Sequence, residues 1–99
     1  MKSSNQPIPS ENAETIALQA LAFVASDAAS LNAFIRDTGV TLDQLHINAG
    51  EPTVMNSVLE YLLRDESSLL MFTANAGLDS DIVMRAHHAI QQHLTRDNQ

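Results

Sequence analysis

The sequence predicts an all-α protein, a compact single-domain bundle of about six short helices built as two similar three-helix units. Apolar residues recur at helical spacing, and no segment shows the sustained alternation that is typical of strands. Capping residues and glycines divide the chain into short segments, which is the pattern of helices joined by tight turns. The chain also matches itself at one fixed offset, which places Asp27 on Asp65 and indicates two copies of one unit.

The internal match is clearest where residues 27–34 lie over residues 65–72, because Asp, Ser, Leu and Phe coincide. At the same offset Gly39 falls on Gly77. An acidic helix cap, a core aromatic and a helix-ending glycine that repeat together favour a duplicated unit over chance matches of Leu or Ala. The two units would span about residues 14–51 and 52–89.

The first two helices are bounded by residues with known capping preferences. We expect the first helix to run from about Glu11 to Ala25. The second begins after Asp27, whose carboxylate can accept hydrogen bonds from the open amide groups of the first turn. It ends at Gly39, which can adopt the left-handed conformation that closes many helices.

The third and fourth helices are marked by a capping box and a proline. Thr41 and Gln44 have the spacing of a capping box, and Gly50 stops the short third helix. The fourth helix starts at Pro52, where a missing N–H costs nothing, and runs to about Arg64.

The fifth and sixth helices repeat the pattern of the second and third. Asp65 is expected to cap the fifth helix, and Gly77 to stop it. The sixth helix is capped by Asp79 and runs to about Leu94, well past the point where its counterpart stops. Outside these helices, residues 1–9 are predicted to form a flexible N-terminal arm and residues 95–99 a frayed C-terminus.

The predicted core is built on two helices. The first and fourth helices are apolar around most of their circumference, so they are expected to form the central layer. Two Leu-x-x-Phe pairs should pin the second and fifth helices onto this layer: Leu31 and Phe34, and Leu69 and Phe72. A compact domain of this length has an expected radius of gyration of about 13 Å.

Composition and charge argue against several classes of protein. The chain has five Lys and Arg against twelve Asp and Glu, a net charge of −7, and no Cys. A disulfide scaffold is therefore excluded, and few cations are available to bind nucleic acid or an anionic membrane. No apolar segment has the length of a membrane span or the features of a signal peptide, so we expect a cytoplasmic protein with no membrane partner.

Several segments together resemble a known family. Residues 20–27, 31–34 and 58–66 resemble a bacterial family of small helical proteins known as domain of unknown function 3572, and the likeness covers about residues 14–90. The middle of the Leu-x-x-Phe motif departs from that family, because Asn32-Ala33 stands where Gly-Arg is common. The resemblance implies an all-helical fold and a bacterial cytoplasmic setting, and it brings no activity or catalytic residues.

Histidines are the obvious metal-ligand candidates, but their spacing is unsuitable. A helical zinc pair needs histidines four residues apart, and none of His46, His87, His88 and His93 is so placed. His93 is interpreted as a tucked-in or capping residue and His88 as a solvated one. We therefore expect no metal site.

Other motifs of catalysis and binding are also incomplete. Asp79-Ser80-Asp81 resembles the opening of a calcium loop, but Met84 and Ile90 occupy its required Gly and Glu positions. No Gly-rich phosphate loop and no local Ser-His-acid signature is present, so neither an enzyme nor a cofactor is expected. A helix-turn-helix interpretation would use Leu42–Asn48 for recognition, and this segment has no Arg or Lys, so no nucleic-acid partner is expected.

The repeat singles out residues that are apolar in one unit and polar or small in the other. Leu18, Leu70, Met71 and Met84 are the apolar members. Their counterparts are Asn56, Asn32, Ala33 and His46 respectively. These four residues are either a partner surface or an asymmetric part of the core, in which the longer sixth helix covers Leu70 and Met71.

The preferred function is a non-enzymatic protein–protein interaction module that binds another protein, or its own copy, through an apolar patch. The alternative is a protein that binds a small apolar ligand in a cavity between the first and fourth helices. A third hypothesis is an acidic domain that binds a basic protein through charge attraction. The sequence does not identify the partner or the ligand.

Overall fold

Six helices and no strand make up the part of the chain that the computed structural model describes, which is the backbone of residues 10–97 and the side chains of residues 12–92 and Leu94. The helices are α1 (Ser10–Ala25), α2 (Ala28–Thr38), α3 (Leu42–Asn48), α4 (Pro52–Arg64), α5 (Glu66–Ala76) and α6 (Ser80–Asp97). The all-α single domain is confirmed, with a radius of gyration of 13.1 Å. The predicted arm over residues 1–9 lies outside the described residues, as do residues 98–99 of the predicted frayed end.

Both helix-ending glycines adopt the predicted left-handed conformation. Gly39 has φ 81° and Gly77 has φ 71°, and no other described residue has a positive φ. A Cβ built at either position meets nothing within 4 Å. Backbone conformation, and not lack of space, is therefore what favours glycine at these two positions.

The predicted N-terminal caps differ in how they are made. The Ser30 amide donates to Asp27 Oδ2 at 3.0 Å, as expected for an N-cap. Thr41 and Gln44 form the predicted capping box. Asp65 precedes α5 as predicted, but its side chain makes no cap hydrogen bond. Its Oδ2 instead accepts a hydrogen bond from the Ser68 hydroxyl at 2.9 Å, so the carboxylate is engaged by a side chain and not by an open amide.

Three helices form the main packing layer. α1 packs against α4 and α6, and α4 also packs against α6. The inward face of α1 includes three fully buried alanines, which allow close approach of its neighbours, whereas the fully buried side chains of α4 are larger. The residues of these two helices with no exposed surface are Ala13, Ala17 and Ala20 of α1 and Val58, Leu59 and Leu62 of α4. The predicted central pair is thus joined by α6, which ends at Asp97, three residues beyond its predicted end.

α2 and α5 attach to this layer through aromatic pairs. The rings of Phe34 in α2 and Tyr61 in α4 have centroids 5.5 Å apart. The rings of Phe72 in α5 and Phe23 in α1 have centroids 5.6 Å apart. Phe34 and Phe72, which the sequence predicts to pin these two helices, are both fully buried.

The two halves of the chain share some helix boundaries but differ in the lengths of their helices. The offset that relates Asp27 to Asp65 also relates the first residues of α2 and α5, their last residues, and the first residues of α3 and α6. α3 has 7 residues and packs against α4, whereas α6 has 18 residues and packs against both α1 and α4. The two-unit repeat is supported by these boundaries and stays a prediction.

No single helix in the described residues is long and apolar enough to cross a bilayer. Parts of α1 and α2 reach that length and composition only when counted together, and the two are bent by 118° relative to each other.

Candidate interaction surface

The four residues singled out by the internal comparison are all on the surface. The exposed fractions are 44% for Leu18, 51% for Leu70, 63% for Met71 and 58% for Met84. α6 therefore leaves Leu70 and Met71 open, and the interpretation of these residues as an asymmetric core does not fit their exposure. Their role in binding a partner stays a prediction.

Two of the four residues share a helix face. In α5 the buried Phe72 and Thr73 point toward the core. Residues at helical spacing on the opposite side form a surface that we call the α5 outer face. It consists of Ser67, Leu70, Met71 and Ala74, all of which are exposed and uncharged.

The corresponding face of α2 has a different character. The counterpart positions on α2 are occupied by Ala29, Asn32, Ala33 and Arg36. α2 is therefore polar and charged on its solvent side, although it attaches to the bundle by the same kind of aromatic contact as α5. Since packing on the bundle does not require an apolar outer face, the apolar character of the α5 outer face needs another reason.

The structure does not bring Leu18 and Met84 into this face. Leu18 lies on α1, about 140° around the helix from Phe23, whose ring contacts Phe72 of α5. Met84 lies on α6, about one turn before His87, whose ring contacts Glu60 of α4. Leu18 and Met84 thus lie on other helices and are not members of the α5 outer face.

Two further exposed apolar residues were missed in the sequence. Leu42 and Ile47, both on α3, are more than half exposed. The signal that could have found them is the comparison that found the other four, because their counterparts in the second unit are Ser80 and Arg85. Both lie in the segment Leu42–Asn48, whose lack of Arg and Lys argues against DNA recognition.

Carboxylates and a hollow lie at the N-terminal end of α5. The hollow has a volume of about 470 Å³ and is lined by Asp37, Tyr61, Arg64, Asp65 and Glu66. Tyr61 itself is almost fully buried. Burial raises the pKa of its hydroxyl, and the nearby charges of Asp65 and Asp37 raise the pKa further. The charge of Arg36 and a hydrogen bond from Ser68 act in the opposite direction and lower the pKa.

A comparison with known families assigns the chain to one of them. A family described as "Protein of unknown function (DUF3572)" matches residues 10–93. The chain belongs to this family. No curated protein and no solved structure matches it. The DUF3572 match includes the whole of α5 and assigns no residue a role, so the surface described above has to be interpreted from its own chemistry.

A second polar cluster of this DUF3572 protein lies between α4 and α6. His87 Nε2 is 3.3 Å from Glu60 Oε2, and Asn56 Nδ2 donates to the same oxygen at 3.5 Å. The Oδ1 atom of Asn56 is buried and has no hydrogen-bond partner among the described residues. Thus Glu60 serves two donors from one oxygen, and the cluster ties α4 to α6.

The other candidate sites of the DUF3572 protein can be located in the same way. His46 and His88 are exposed, and the side chain of His93 lies outside the described residues. Among the described side chains, no three His, Asp or Glu groups lie together as metal ligands would. A second, polar hollow of about 190 Å³ lies between the α2–α3 turn and α4. Neither hollow has a lining residue from α1, the helix expected to line a ligand cavity.

Proposed function

We propose that this protein is a non-enzymatic interaction module that binds another protein through the α5 outer face. The observation that carries the proposal is the exposure of Leu70 and Met71 on a helix whose outer face has no charge. Exposed apolar residues that cluster on one face are typical of interaction sites, whereas single ones are ordinary. Met also suits a contact surface because its unbranched side chain adapts to its partner.

The binding free energy expected from Leu70 and Met71 is that of a reversible contact. Fully burying a Leu or Met side chain contributes about 1.5–3 kcal/mol, and these two side chains are already partly covered in the free protein. The pair would therefore contribute about 2–3 kcal/mol on binding. A stable complex therefore needs additional contacts at the edge of the face, where the charged residues lie.

The setting that we propose is the cytoplasm of a bacterium, as the family resemblance implies. We also propose that the chain arose by duplication of a three-helix unit. The equal offsets of helix boundaries and of the two left-handed glycines support this origin. On this view α2 retains a solvated outer face, and α5 has become the binding helix.

A test exchanges the residues of α5 for their α2 counterparts. The variant L70N/M71A gives α5 the residues that α2 carries at the same positions, so it should fold normally. The matched control L42S/I47R removes exposed apolar residues from α3 in the same manner, because it copies their counterparts on α6.

The measurement is affinity capture from the native cell extract, quantified by mass spectrometry for the wild type and both variants. We expect the same proteins to be retained by the wild type and by L42S/I47R, and lost by L70N/M71A. Retention of one unchanged set by all three proteins would contradict the proposal.

A further inference from the structure

We propose that the partner of the α5 outer face is a basic amphipathic helix, with Lys or Arg residues at its ends, and not a second copy of this chain. This inference rests on the proposed function and specifies the chemistry of the partner.

The shape of the face suits a short helix. α5 has 11 residues, so it is about 16 Å long. The residues of its outer face recur at the i, i+3, i+4 and i+7 positions, which form one continuous stripe along the helix. A stripe of this kind is complementary to the apolar stripe of another amphipathic helix, which docks with its own i, i+3, i+4 and i+7 residues.

Carboxylates flank the stripe at both ends. Asp65 and Glu66 lie at its N-terminal end, and Asp79 and Asp81 follow within five residues of the last residue of α5; all four are exposed. α5 itself contains no basic residue. A partner helix whose apolar stripe is bounded by cations would therefore meet opposite charge at each end.

The arginines near the stripe cancel only part of these charges. Arg85 is already paired with Asp81, with a nitrogen-to-oxygen distance of 2.8 Å. Arg64 lies beside the hollow that Asp37, Asp65 and Glu66 also line. Acidic residues thus outnumber arginines at each end of α5, in keeping with the net charge of −7.

The hollow at the N-terminal end provides a receptor for one cation. Glu66 lines the hollow and lies one helical turn before Leu70, so the hollow lies at the N-terminal end of the apolar stripe. Its volume of about 470 Å³ can hold the end of a Lys or Arg side chain among three carboxylates. The charges of Asp65 and Asp37, two of these carboxylates, also contribute to the raised pKa of the Tyr61 hydroxyl, after the larger effect of burial.

The same charges disfavour a second copy as the occupant. In an antiparallel pairing of two α5 helices, Asp65 and Glu66 of one chain would face Asp79 and Asp81 of the other. In a parallel pairing each acidic end would face itself. Like charges oppose each other in both arrangements, so self-association through this face would be weakened where a basic partner would be attracted.

A peptide display selection tests the inference. The library contains helical peptides of about 14 residues, roughly four turns, with a fixed Leu stripe and randomised terminal residues. Selection on the wild-type protein should enrich Lys and Arg at both ends. Each selected peptide should bind L70N/M71A at least about tenfold more weakly, and L42S/I47R as well as the wild type.

Charge variants extend the selection to the two ends of α5. Glu66→Gln and Asp79→Asn keep the shape of each side chain, and asparagine remains a good helix cap. Each should weaken binding of the selected peptides by about two- to fivefold and reduce its dependence on salt.

The possible failures can be told apart. If no selected peptide depends on Leu70 and Met71, the proposed function itself is contradicted. Peptides that depend on these residues but have neutral or acidic ends overturn the basic partner alone. Light scattering of the purified protein tests whether the face binds a second copy of the chain. A dimer that is present in the wild type and lost in L70N/M71A would identify a second copy as the occupant and overturn this inference.

Discussion

The ring of Phe34 packs edge-on against the ring of Tyr61, with 77° between the two ring planes. The counterpart pair consists of Phe72 and Phe23, at 55°. The offset that relates the two units carries Phe34 to Phe72, and it carries Phe23 to Tyr61. Each pair thus joins one unit to the other, and the two pairs exchange when the units are exchanged. An approximate twofold relation between the units would produce this pattern, as it does at the interface of a symmetric dimer.

The two aromatic pairs should contribute similar coupling energies. Replacing each ring by leucine, alone and in pairs, gives one double-mutant cycle for Phe34 with Tyr61 and one for Phe23 with Phe72. We expect a coupling of about 0.5–1.5 kcal/mol in each cycle, because both pairs have favourable tilted geometry. The free energy of unfolding in urea measures it. A coupling in only one cycle would contradict the equivalence of the pairs.

Substitution by alanine should destabilise the protein at the two left-handed glycines, Gly39 and Gly77, but not at Gly50. Gly39→Ala and Gly77→Ala should each destabilise the protein by about 1–2 kcal/mol, because a Cβ is strained at their positive φ angles. Gly50 has no positive φ and a Cβ there meets nothing within 4 Å, so Gly50→Ala serves as the control. It should be neutral or slightly stabilising. Thermal melts of the three variants give the comparison, and equal losses in all three would refute the argument.

The two equivalent aspartates should differ in their contribution to stability. Asp27 accepts a hydrogen bond from a backbone amide of α2, so Asp27→Ala should cost about 1 kcal/mol. Asp65 bonds the exposed Ser68 hydroxyl instead, so Asp65→Ala should cost less. Urea unfolding of both variants measures the difference. A loss at Asp65 as large as that at Asp27 would show that both act as backbone caps in solution.

Replacing a methionine by glutamate should cost much less stability on the surface than in the core. Met71→Glu and Met84→Glu should each change the free energy of unfolding by about 0.5 kcal/mol or less, because both side chains are exposed. The matched control is Met55→Glu, which places a carboxylate in the core and should cost at least about 3 kcal/mol. Melting curves separate the two cases. A large loss at Met71 would remove the basis for the α5 outer face as a binding surface.

The stability of the protein should fall at high pH because of its single tyrosine. The pKa of Tyr61 is raised above 10.0 in the folded state, first by burial and then by the nearby carboxylates. Below pH 10.0 the hydroxyl keeps its proton in both the folded and the unfolded state, so it does not make the stability depend on pH. As the pH rises toward the folded pKa, the unfolded chain loses its proton first, so unfolding becomes more favourable.

The variant Tyr61→Phe keeps the ring and removes the titration, so it should lose less stability over the same pH range. Because Tyr61 is the only tyrosine, the ultraviolet absorbance of its phenolate reports its titration directly. A titration midpoint at or below 10.0 would contradict the raised pKa.

Helix boundaries were predictable because they depend on local chemistry. A capping box such as Thr41 with Gln44, or a glycine such as Gly39, acts on neighbouring residues only, and both behave as predicted. Asp65 departs from the prediction at the same local level, since the choice between the Ser68 amide and the Ser68 hydroxyl depends on side-chain conformation, which a residue pattern does not specify.

The arrangement of the surface was less predictable because it depends on contacts between distant segments. Comparison of the two units identified Leu70 and Met71, and the structure shows that they are exposed and adjacent. The same comparison could not show that Leu18 and Met84 are exposed. Their exposure depends on how α1 and α6 pack on α4, and this packing is not encoded in the spacing of residues along one helix.

The two aromatic pairs are also nested along the chain, because Phe34 and Tyr61 both lie between Phe23 and Phe72 in the sequence. Closing a long loop costs conformational entropy, and the cost grows with loop length. Once the inner pair has formed, the outer pair has to bring together only the two short segments that flank it, residues 23–34 and 61–72. We therefore expect folding to proceed from the α2–α4 contact outward. α5, the helix with the open apolar face, would then dock late and be the first to detach when the domain begins to unfold.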